Sequence, residues 1–379
     1  MVSVDNPSIL HLMNSVFGRP DQYGGRSWWI AASDERDRPV DVFYRSGPGY
    51  QAGVVRNATP VALPPAYQIP RYGFSLLGWK APHRKTIGAG FDRAMLRSVR
   101  RSLGHGQKDR APILVHAWDW MPRTLSWIRS TYPDTPIVRD VVVNRRLDFF
   151  YGSPVADQAA VVDAFFSPST YTTEQLVSWG VPRRQVFEIP FGVDTDVYRP
   201  RQDQNHRDGE PLRFAFSGAV SRRKGVDSLL RAWRRLALPN AELHLYGKVR
   251  DVSRELRAAP ANVVVHGHVS LPEELPKNNV YVFPSTLEGS AKSVYEALAC
   301  GLPVITTPQA GSLVRDDQEG LLVPAGDDDA LAGAIHTLFH DPDRRRRYGV
   351  AARRRAENHT WAHYGERVWA AYGDLIAGK

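Results

Sequence analysis

Short apolar segments alternate with helical patterns along the first half of the chain. Five segments have the length and apolar character of buried strands, namely residues 9–13, 40–44, 113–116, 137–143 and 164–167. Apolar residues at helical spacing predict helices at residues 93–103, 124–131 and 173–179. Because strands that alternate with helices form parallel sheets covered on both faces, this half predicts a mostly parallel α/β domain.

The second half shows the same alternation without repeating the sequence. Its strand-like segments are residues 214–217, 242–246, 263–266, 280–283, 304–306 and 321–323. A helix is predicted at residues 227–236, and the polar segment 196–211 predicts a linker. Since 379 residues exceed the size that one hydrophobic core supports, we expect two domains, at residues 1–195 and 212–361.

A pair of glycines follows the first predicted strand. Gly24 and Gly25 lie between residues 9–13 and the apolar segment 27–32, which predicts a helix. A strand, a glycine turn and a helix in this order open a Rossmann-like unit. Paired glycines also occur in ordinary turns, and this alternative stays open.

Cysteine content and apolar runs narrow the class of protein. The single cysteine, Cys300, excludes an intrachain disulfide framework or a cysteine-clustered zinc site and fits a reducing compartment. No apolar run approaches the ~20 residues of a membrane-spanning helix, and the first residues lack the basic and apolar parts of a signal peptide. These features predict a soluble, cytoplasmic protein.

The excess of positive charge suggests an anionic partner. Lysine and arginine number 49 against 40 acidic residues, a formal net charge of +9. The arginines are spread along the chain and no zinc finger, basic zipper or RNA-binding sheet signature is present, so nucleic acid is not expected. Small phosphorylated ligands or an anionic membrane surface would explain the charge equally well.

One arginine-rich helix could contact such a membrane. Residues 93–103 carry four arginines interleaved with apolar residues, so the helix could lie peripherally on an anionic surface at the inner membrane face. The alternative is a helix whose apolar side packs into the core while its arginines face solvent.

The most informative stretch runs from Val280 to Ile305. It predicts a buried strand, a polar loop with Glu288, a helix with Glu296 and another strand. Small residues in the loop allow close approach of a ligand, and the free amides at the helix start suit an anion. The alternative is that Glu296 merely pairs with Lys292 one turn earlier while Glu288 is solvated, although Lys before Glu is the poorer order for such a pair.

A second basic turn precedes another helix of this half. Gly218 is followed by Arg222, Arg223 and Lys224, after one predicted strand and before residues 227–236. Cations at a helix start oppose the helix dipole unless an anion binds there. Together with Lys292, these positions suit a diphosphate. A solvated basic turn is the alternative.

These blocks resemble the Glu-x7-Glu signature of retaining nucleotide-sugar glycosyltransferases with the GT-B fold, family 4, the glycosyl transferases group 1 type. The resemblance continues through residues 301–312, 320–324 and 216–227 and covers nearly the whole C-terminal half. It implies two Rossmann-like domains that face each other across a cleft, with a last helix at about residues 362–379 crossing back to the first domain.

The resemblance also implies roles for individual residues. Glu296 would bind the ribose hydroxyls of the nucleotide and Glu288 would face the transferred sugar. Donor binding would further involve the phosphate-binding Lys224 and the following loop, turn and helix-start residues: Gly24, Gly25, Gly218, Ser290, Ala291, Lys292 and Ser293. Ala219 occupies the family's arginine position, so Arg222 or Arg223 would replace that arginine.

The acceptor side of the resemblance lies in the first half. Residues 112–122 resemble the family's strand end with two histidines, of which His116 is present and the second is replaced by Trp118. His116 is therefore a catalytic candidate or a hydrogen-bonded core group. Asp119 is a candidate for orienting or deprotonating the acceptor hydroxyl.

The implied activity is transfer of a sugar from a nucleoside-diphosphate sugar to an acceptor hydroxyl with retention at the anomeric carbon. The acceptor would be a carbohydrate, a lipid-linked molecule or a small molecule. Asp194 and Asp196 lie in the linker region and residues 327–329 predict a helix start, so no acidic motif predicts a metal site, and neither metal nor cofactor is expected. A GT-B nucleotide-sugar epimerase and a non-catalytic nucleotide-sugar binding protein are the alternatives.

Overall fold

The structure is a computed structural model that describes residues 9–13, 40–45, 57–61, 84–118, 120–141, 155–201 and 209–378. Contacts divide the chain into two compact units. Unit 1 takes the described residues of Met1–Ser167, Thr173–Ile189 and Tyr364–Lys379, and unit 2 takes those of Pro168–Thr172 and Pro190–His363. Both units are built on parallel sheets, and each is described by itself.

The described part of unit 1 contains a seven-stranded sheet. In chain order its strands are β1 (Ile9–Met13), β2 (Val40–Arg45), β3 (Asn57–Val61), β4 (Leu114–Ala117), β5 (Ile137–Asp140), β6 (Ala164–Ser167) and β7 (Val186–Glu188). The spatial order is β3-β2-β1-β4-β5-β6-β7, and every neighbouring pair is parallel. The order reverses between β1 and β4, as it does in Rossmann-like sheets.

Helices cover both faces of this sheet. The helices of unit 1 are α1 (Arg84–Ser102), α2 (Pro122–Thr131), α3 (Val155–Gln158) and α4 (Thr170–Ser178), whose first residues belong to unit 2. One core cluster joins α1 and α2 to the strands, as shown by buried Leu12, Met95, Val115 and Ile128. The other face meets the last helix, α11 (Trp361–Ala377), which lies in unit 1 from residue 364 onward.

The described part of unit 2 contains a six-stranded sheet in the order β10-β9-β8-β11-β12-β13, again with parallel neighbours. Its strands are β8 (Leu212–Ser217), β9 (Ala241–Tyr246), β10 (Val263–Gly267), β11 (Val280–Phe283), β12 (Val304–Thr306) and β13 (Gly320–Leu322). Its helices are α5 (Val226–Leu236), α6 (Ser253–Arg257), α7 (Leu271–Glu274), α8 (Lys292–Ala299), α9 (Asp328–His340) and α10 (Pro342–Glu357).

The predicted α/β class, with two Rossmann-like domains, is confirmed, and most predicted strands lie within one or two residues of the observed ones. The segment 137–143 ends as a strand at residue 140, before its predicted end, and the strands β3 and β7 were not predicted. The helix predicted at residues 27–32 lies outside the described residues. No described helix is long and apolar enough to cross a membrane.

The arginine-rich helix α1 directs its apolar residues into the core. Met95 and Val99 are fully buried and Leu103 just after the helix is nearly so, whereas Arg97 and Arg100 are exposed. These positions match the core-packing interpretation of the arginine-rich pattern.

Candidate functional site

The carboxyl ends of three neighbouring strands of unit 2 place the predicted donor residues at one sheet edge. β8, β11 and β12 are adjacent, and the spatial order of strands reverses between β8 and β11. Ligands of open α/β sheets bind beyond the carboxyl ends of strands at such a switch point. The loop after β8 carries the basic turn, and the loop after β11 carries Glu288.

Two glycines let the loops approach one another closely. Gly225 adopts φ +72°, and a Cβ there would lie 2.0 Å from the Pro284 carbonyl oxygen at the end of β11. Gly247 adopts φ +135°, and its Cβ would lie 1.9 Å from the carbonyl oxygen of Gly218. Because real Cβ contacts are never this short, only glycine permits this arrangement of the basic turn.

Glu288 forms ion pairs with two cations of the basic turn. Its Oε1 lies 2.8 Å from Lys224 Nζ and 2.5 Å from Arg223 Nη1. The Lys224 and Glu288 side chains are 15% and 16% exposed, and the ammonium lies 4.7 Å from the centre of the Phe283 ring. Burial lowers the pKa of Lys224, and Glu288 opposes that effect. The structure therefore joins the first glutamate of the signature to the basic turn.

Arg222 points away from this cluster. Its guanidinium pairs with Glu255 and lies 3.7 Å from Asp227, while its amide donates to Asp251 at 2.9 Å. The sequence left open whether Arg222 or Arg223 reaches the site, and the structure brings Arg223 to Glu288.

The loop after Glu288 is held by backbone hydrogen bonds. The Gly289 carbonyl accepts from Ser169 Oγ at 2.8 Å and from Thr172 Oγ1 at 2.9 Å. The Ala291 amide donates to the Ala310 carbonyl at 3.0 Å. This amide is therefore not free to bind the donor, in contrast to the expectation from the sequence. The Ser290 hydroxyl donates to the Tyr295 hydroxyl at 2.9 Å, which fixes the loop rather than leaving that group open.

The start of α8 keeps free backbone donors. Ala291 is its N-cap and makes no side-chain cap, and among the described residues the amides of Lys292 and Ser293 have no acceptor. Such amides form a ready site for phosphate or carboxylate oxygens. The Lys292 ammonium is exposed and lies 5.9 Å from the centre of the Trp361 ring.

Glu296 lies one turn further along α8, beside two tyrosines. Burial raises the pKa of Glu296, and Lys292 and the Tyr198 hydroxyl partly lower it. Tyr281 also interacts electrostatically with Glu296, and its hydroxyl lies 2.9 Å from Ser217 Oγ at the end of β8. The surroundings of Glu296 therefore disfavour its charged form. Perturbed pKa values of this kind are common at functional sites.

His116 lies in the interior of unit 1. It is fully buried, and its Nδ1 is hydrogen-bonded to the Tyr372 hydroxyl at 2.5 Å, which also contacts His11 Nε2 at 3.2 Å. The imidazole stacks on Trp118 with ring centroids 4.7 Å apart. This environment matches the interpretation of His116 as a hydrogen-bonded core group.

Three predicted residues lie outside the described part of the chain, namely Asp119, Gly24 and Gly25. Sequence reasoning also missed residues that the structure brings to the site or its support. Tyr198, Arg353, Ser169 and Thr172 belong to segments without a binding signature, and only their tertiary position connects them to α8 and its loop. Within the described residues, no group of three or more His, Cys, Asp or Glu side chains is placed to hold a metal ion.

Comparison with known proteins finds relatives of part of this chain. Residues 211–341 match the family model described as glycosyl transferases group 1. A GDP-mannose-dependent alpha-mannosyltransferase of Mycobacterium tuberculosis is 33% identical over 251 residues, which is 60% of this chain and 63% of that protein. The alignments span about three fifths of the length of the first curated relatives, at 63%, 58% and 61%.

Solved structures resemble nearly the whole chain. Sucrose-phosphate synthase from Thermosynechococcus elongatus superimposes with a TM-score of 0.73 at 21% identity, covering 98% of this chain and 100% of that one. HepE of Anabaena, solved in complex with UDP, gives a TM-score of 0.70 at 16% identity, with 97% and 100% covered. At these identities the similarity shows the shared GT-B fold.

Proposed function

We propose that this chain is a retaining glycosyltransferase that uses a nucleoside-diphosphate sugar, because residues 211–341 match the family model described as glycosyl transferases group 1. The observation that carries the proposal is the placement, at one sheet edge, of Lys224 and Arg223, the open start of α8 and the half-buried Glu296. Each part suits a different portion of the donor.

The diphosphate binds between the basic turn and α8. Lys224 and Arg223 supply charge-assisted hydrogen bonds, and the amides of Lys292 and Ser293 supply neutral donors. Glu288 pairs with the two cations, so the diphosphate exchanges places with a carboxylate. Glu296, an acceptor-only group, binds the ribose hydroxyls.

The same groups assist departure of the nucleoside diphosphate. As the glycosidic bond to the phosphate breaks, negative charge grows on the leaving oxygen, and prearranged cations and amides stabilise it. Glu288, freed from Lys224, faces the transferred sugar. The acceptor hydroxyl attacks from the face that the phosphate vacates, and a phosphate oxygen takes its proton, which retains the anomeric configuration without a protein nucleophile. Asp119 remains the candidate for orienting that hydroxyl.

The names of relatives narrow the donors that should be tried first. One relative is named as GDP-mannose-dependent, and HepE was solved with UDP. We therefore propose a GDP- or UDP-linked hexose as donor, a carbohydrate, lipid-linked or small-molecule hydroxyl as acceptor, and transfer that needs no metal because Lys224 and Arg223 provide the positive charge.

A thermal-shift panel of nucleotide sugars tests the proposal. A ligand at 100 times its dissociation constant should stabilise the fold by about 2.7 kcal/mol. The stabilising donor is then incubated with candidate acceptors, with and without EDTA, and product anomeric configuration is read by NMR. Failure of every nucleoside diphosphate to stabilise the protein contradicts the assignment, and loss of transfer in EDTA contradicts metal independence.

A further inference from the structure

Unit 2 contains a cavity at the edge of its sheet opposite the donor residues. The cavity has a volume of about 530 Å³, and Pro211, Asn279 and Pro303 line it just before the adjacent strands β8, β11 and β12 begin. Because these strands are parallel, their carboxyl ends and the donor residues lie at the other edge. Cavities of about 300–1,000 Å³ are the usual size of small-molecule sites. A ligand at the donor edge therefore leaves this cavity open to a second molecule.

Positive charge dominates the walls of this cavity. Among the described residues, five cationic side chains and one acidic side chain line it: Arg201, Arg213, Lys277, Arg345, Arg346 and Glu210. Three of the cations have acidic partners that do not line the cavity, at 3.3, 2.7 and 3.0 Å: Glu242 for Arg213, Glu274 for Lys277 and Asp343 for Arg346. These three cations are at least 40% exposed, and exposed pairs of this kind contribute little to stability. A cleft lined mainly by one sign of charge concentrates ions of the opposite sign.

Arg345 is fixed in the cavity wall without a paired carboxylate. Its Nη1 donates to the carbonyls of Leu338 at 2.6 Å and Phe339 at 2.9 Å, near the end of α9. Within the described part of the chain no carboxylate lies within 4 Å of the guanidinium, and its Nε and Nη2 have no acceptor. Burial lowers the pKa of Arg345, and Asp341 only partly opposes this effect. An anion in the cavity would offset the cost of burying this cation through charge-assisted hydrogen bonds.

A neutral donor and an apolar floor complete the lining. Asn279 Oδ1 accepts from the Arg213 amide at 2.8 Å, and the Asn279 amide donates to the Arg213 carbonyl at 2.8 Å. These two bonds fix the Asn279 side chain, and none of the described residues accepts a hydrogen bond from its NH2 group. Leu302 and Pro303 are buried and contribute apolar surface. Polar donors beside apolar surface suit a phosphate group that is attached to a carbon skeleton.

We propose that this cavity is a second anion-binding site of the protein and takes a small phosphorylated molecule of the sugar phosphate class. The phosphate group contacts Arg345, Arg213 and the Asn279 NH2 group, and the carbon skeleton packs on Leu302 and Pro303. Arginine suits this role because its planar donors match pairs of phosphate oxygens. The site is independent of the proposed sugar transfer, because it shares no lining residue with the donor edge.

Calorimetry with glucose 6-phosphate, inorganic phosphate and glucose tests the site. Glucose 6-phosphate should bind to wild type and glucose should not, whereas inorganic phosphate should bind more weakly because it has no carbon skeleton to pack on the floor. Arg345→Gln and Arg213→Gln should each weaken glucose 6-phosphate binding by at least about tenfold, the scale of one hydrogen bond to a charged group. Lys277→Gln, at a more exposed position, should weaken it by about threefold.

Two variants outside the cavity serve as controls. Arg235 lies on α5 of the same unit, is about half exposed and pairs with Asp329, so Arg235→Gln removes a comparable charge away from the cavity. Lys224→Met removes a cation of the donor edge. Both variants should keep the wild-type affinity for glucose 6-phosphate. Thermal melting checks folding, and Arg213→Gln and Lys277→Gln keep the test decisive if Arg345→Gln, which loses its contacts to α9, is unstable.

Three results would overturn the proposal. One is wild-type protein that does not bind glucose 6-phosphate. Another is binding that survives in Arg345→Gln and Arg213→Gln but is lost in Lys224→Met, because the phosphate then lies at the donor edge. The third is an affinity for glucose or for inorganic phosphate equal to that for glucose 6-phosphate. Failure of every nucleoside diphosphate to stabilise the protein would contradict the proposed function and leave this site standing.

Discussion

Glu288→Gln should tighten binding of a nucleoside diphosphate while it removes sugar transfer. The Glu288 carboxylate lies 2.8 Å from Lys224 Nζ and 2.5 Å from Arg223 Nη1, the groups proposed to bind the diphosphate. The ligand must break these pairs before it binds. A glutamine keeps the shape of the side chain but removes the charge that competes with phosphate.

The size of the effect follows from the burial of the pair. Fully exposed pairs contribute about 0.2–1 kcal/mol, and breaking a buried pair costs about 3–5 kcal/mol. Lys224 and Glu288 are about one sixth exposed, whereas Arg223 is 42% exposed and adds little. We expect the loss of the competing ion pair to favour nucleotide binding by about 1–2 kcal/mol, which is a roughly 5- to 30-fold gain in affinity. By the thermodynamic cycle, the ligand-free variant loses the same stability.

Two measurements on one variant check this reasoning. Calorimetry with UDP and GDP gives the change in affinity, and urea unfolding gives the change in ligand-free stability. Transfer should fall by roughly 100-fold or more if Glu288 contacts the transition state. Glu255→Gln is the matched control, because it removes the partner of Arg222, and its nucleotide affinity should equal that of wild type.

A weaker or unchanged affinity in Glu288→Gln would refute the competition model. It would mean that Glu288 contributes to binding the diphosphate complex, or that its pairs with the basic turn persist when ligand is bound. A gain in affinity without the matching loss of ligand-free stability would also contradict the competition model, because the thermodynamic cycle links the two changes.

Three further predictions test the same edge of unit 2. Lys224→Met should weaken nucleoside diphosphate binding by at least about tenfold, whereas Arg222→Met should change it less than about twofold, as read by calorimetry. Gly225→Ala should cost about 2–4 kcal/mol in urea unfolding, because its Cβ would lie 2.0 Å from the Pro284 carbonyl at φ +72°; wild-type stability would contradict this. Since burial raises the pKa of Glu296 above 4.5, nucleotide affinity should fall as pH is lowered through that raised pKa, and Glu296→Gln should remove this pH dependence.

Much of the fold was predictable because its signals are local. Buried parallel strands are continuous apolar runs, and β1, β6, β11 and β12 have the predicted bounds. β7 (Val186–Glu188) gives no such run, because only Val186 of its three residues is buried and the strand ends in a glutamate, and it was missed. In a parallel sheet the loops that follow β8 and β11 lie at the same edge. Lys224 and Glu288, which are 64 positions apart in the chain, are therefore close in space.

The details of the site were not predictable in the same way. Three adjacent cations in the basic turn have equal charge in the sequence, but the turn directs Arg222 to Glu255 and Arg223 to Glu288. The same holds for Ala291, whose amide donates to Ala310 rather than to open space. Neighbouring residues of a turn point in different directions, and these directions depend on the backbone conformation of the turn. The periodic pattern of apolar residues gives no information about that conformation.

By itself the sequence determined the α/β class, most strands, and the chemical character of the donor edge, because apolar periodicity and the order of strand, loop and helix are properties of neighbouring residues. Tertiary structure decided which cation meets Glu288, that His116 is enclosed beside Tyr372, and that Arg353 joins the Tyr198 backbone to the end of α8. These contacts join residues far apart in the chain, and their geometry depends on how loops of fixed length close over packed strands, which local preferences do not specify.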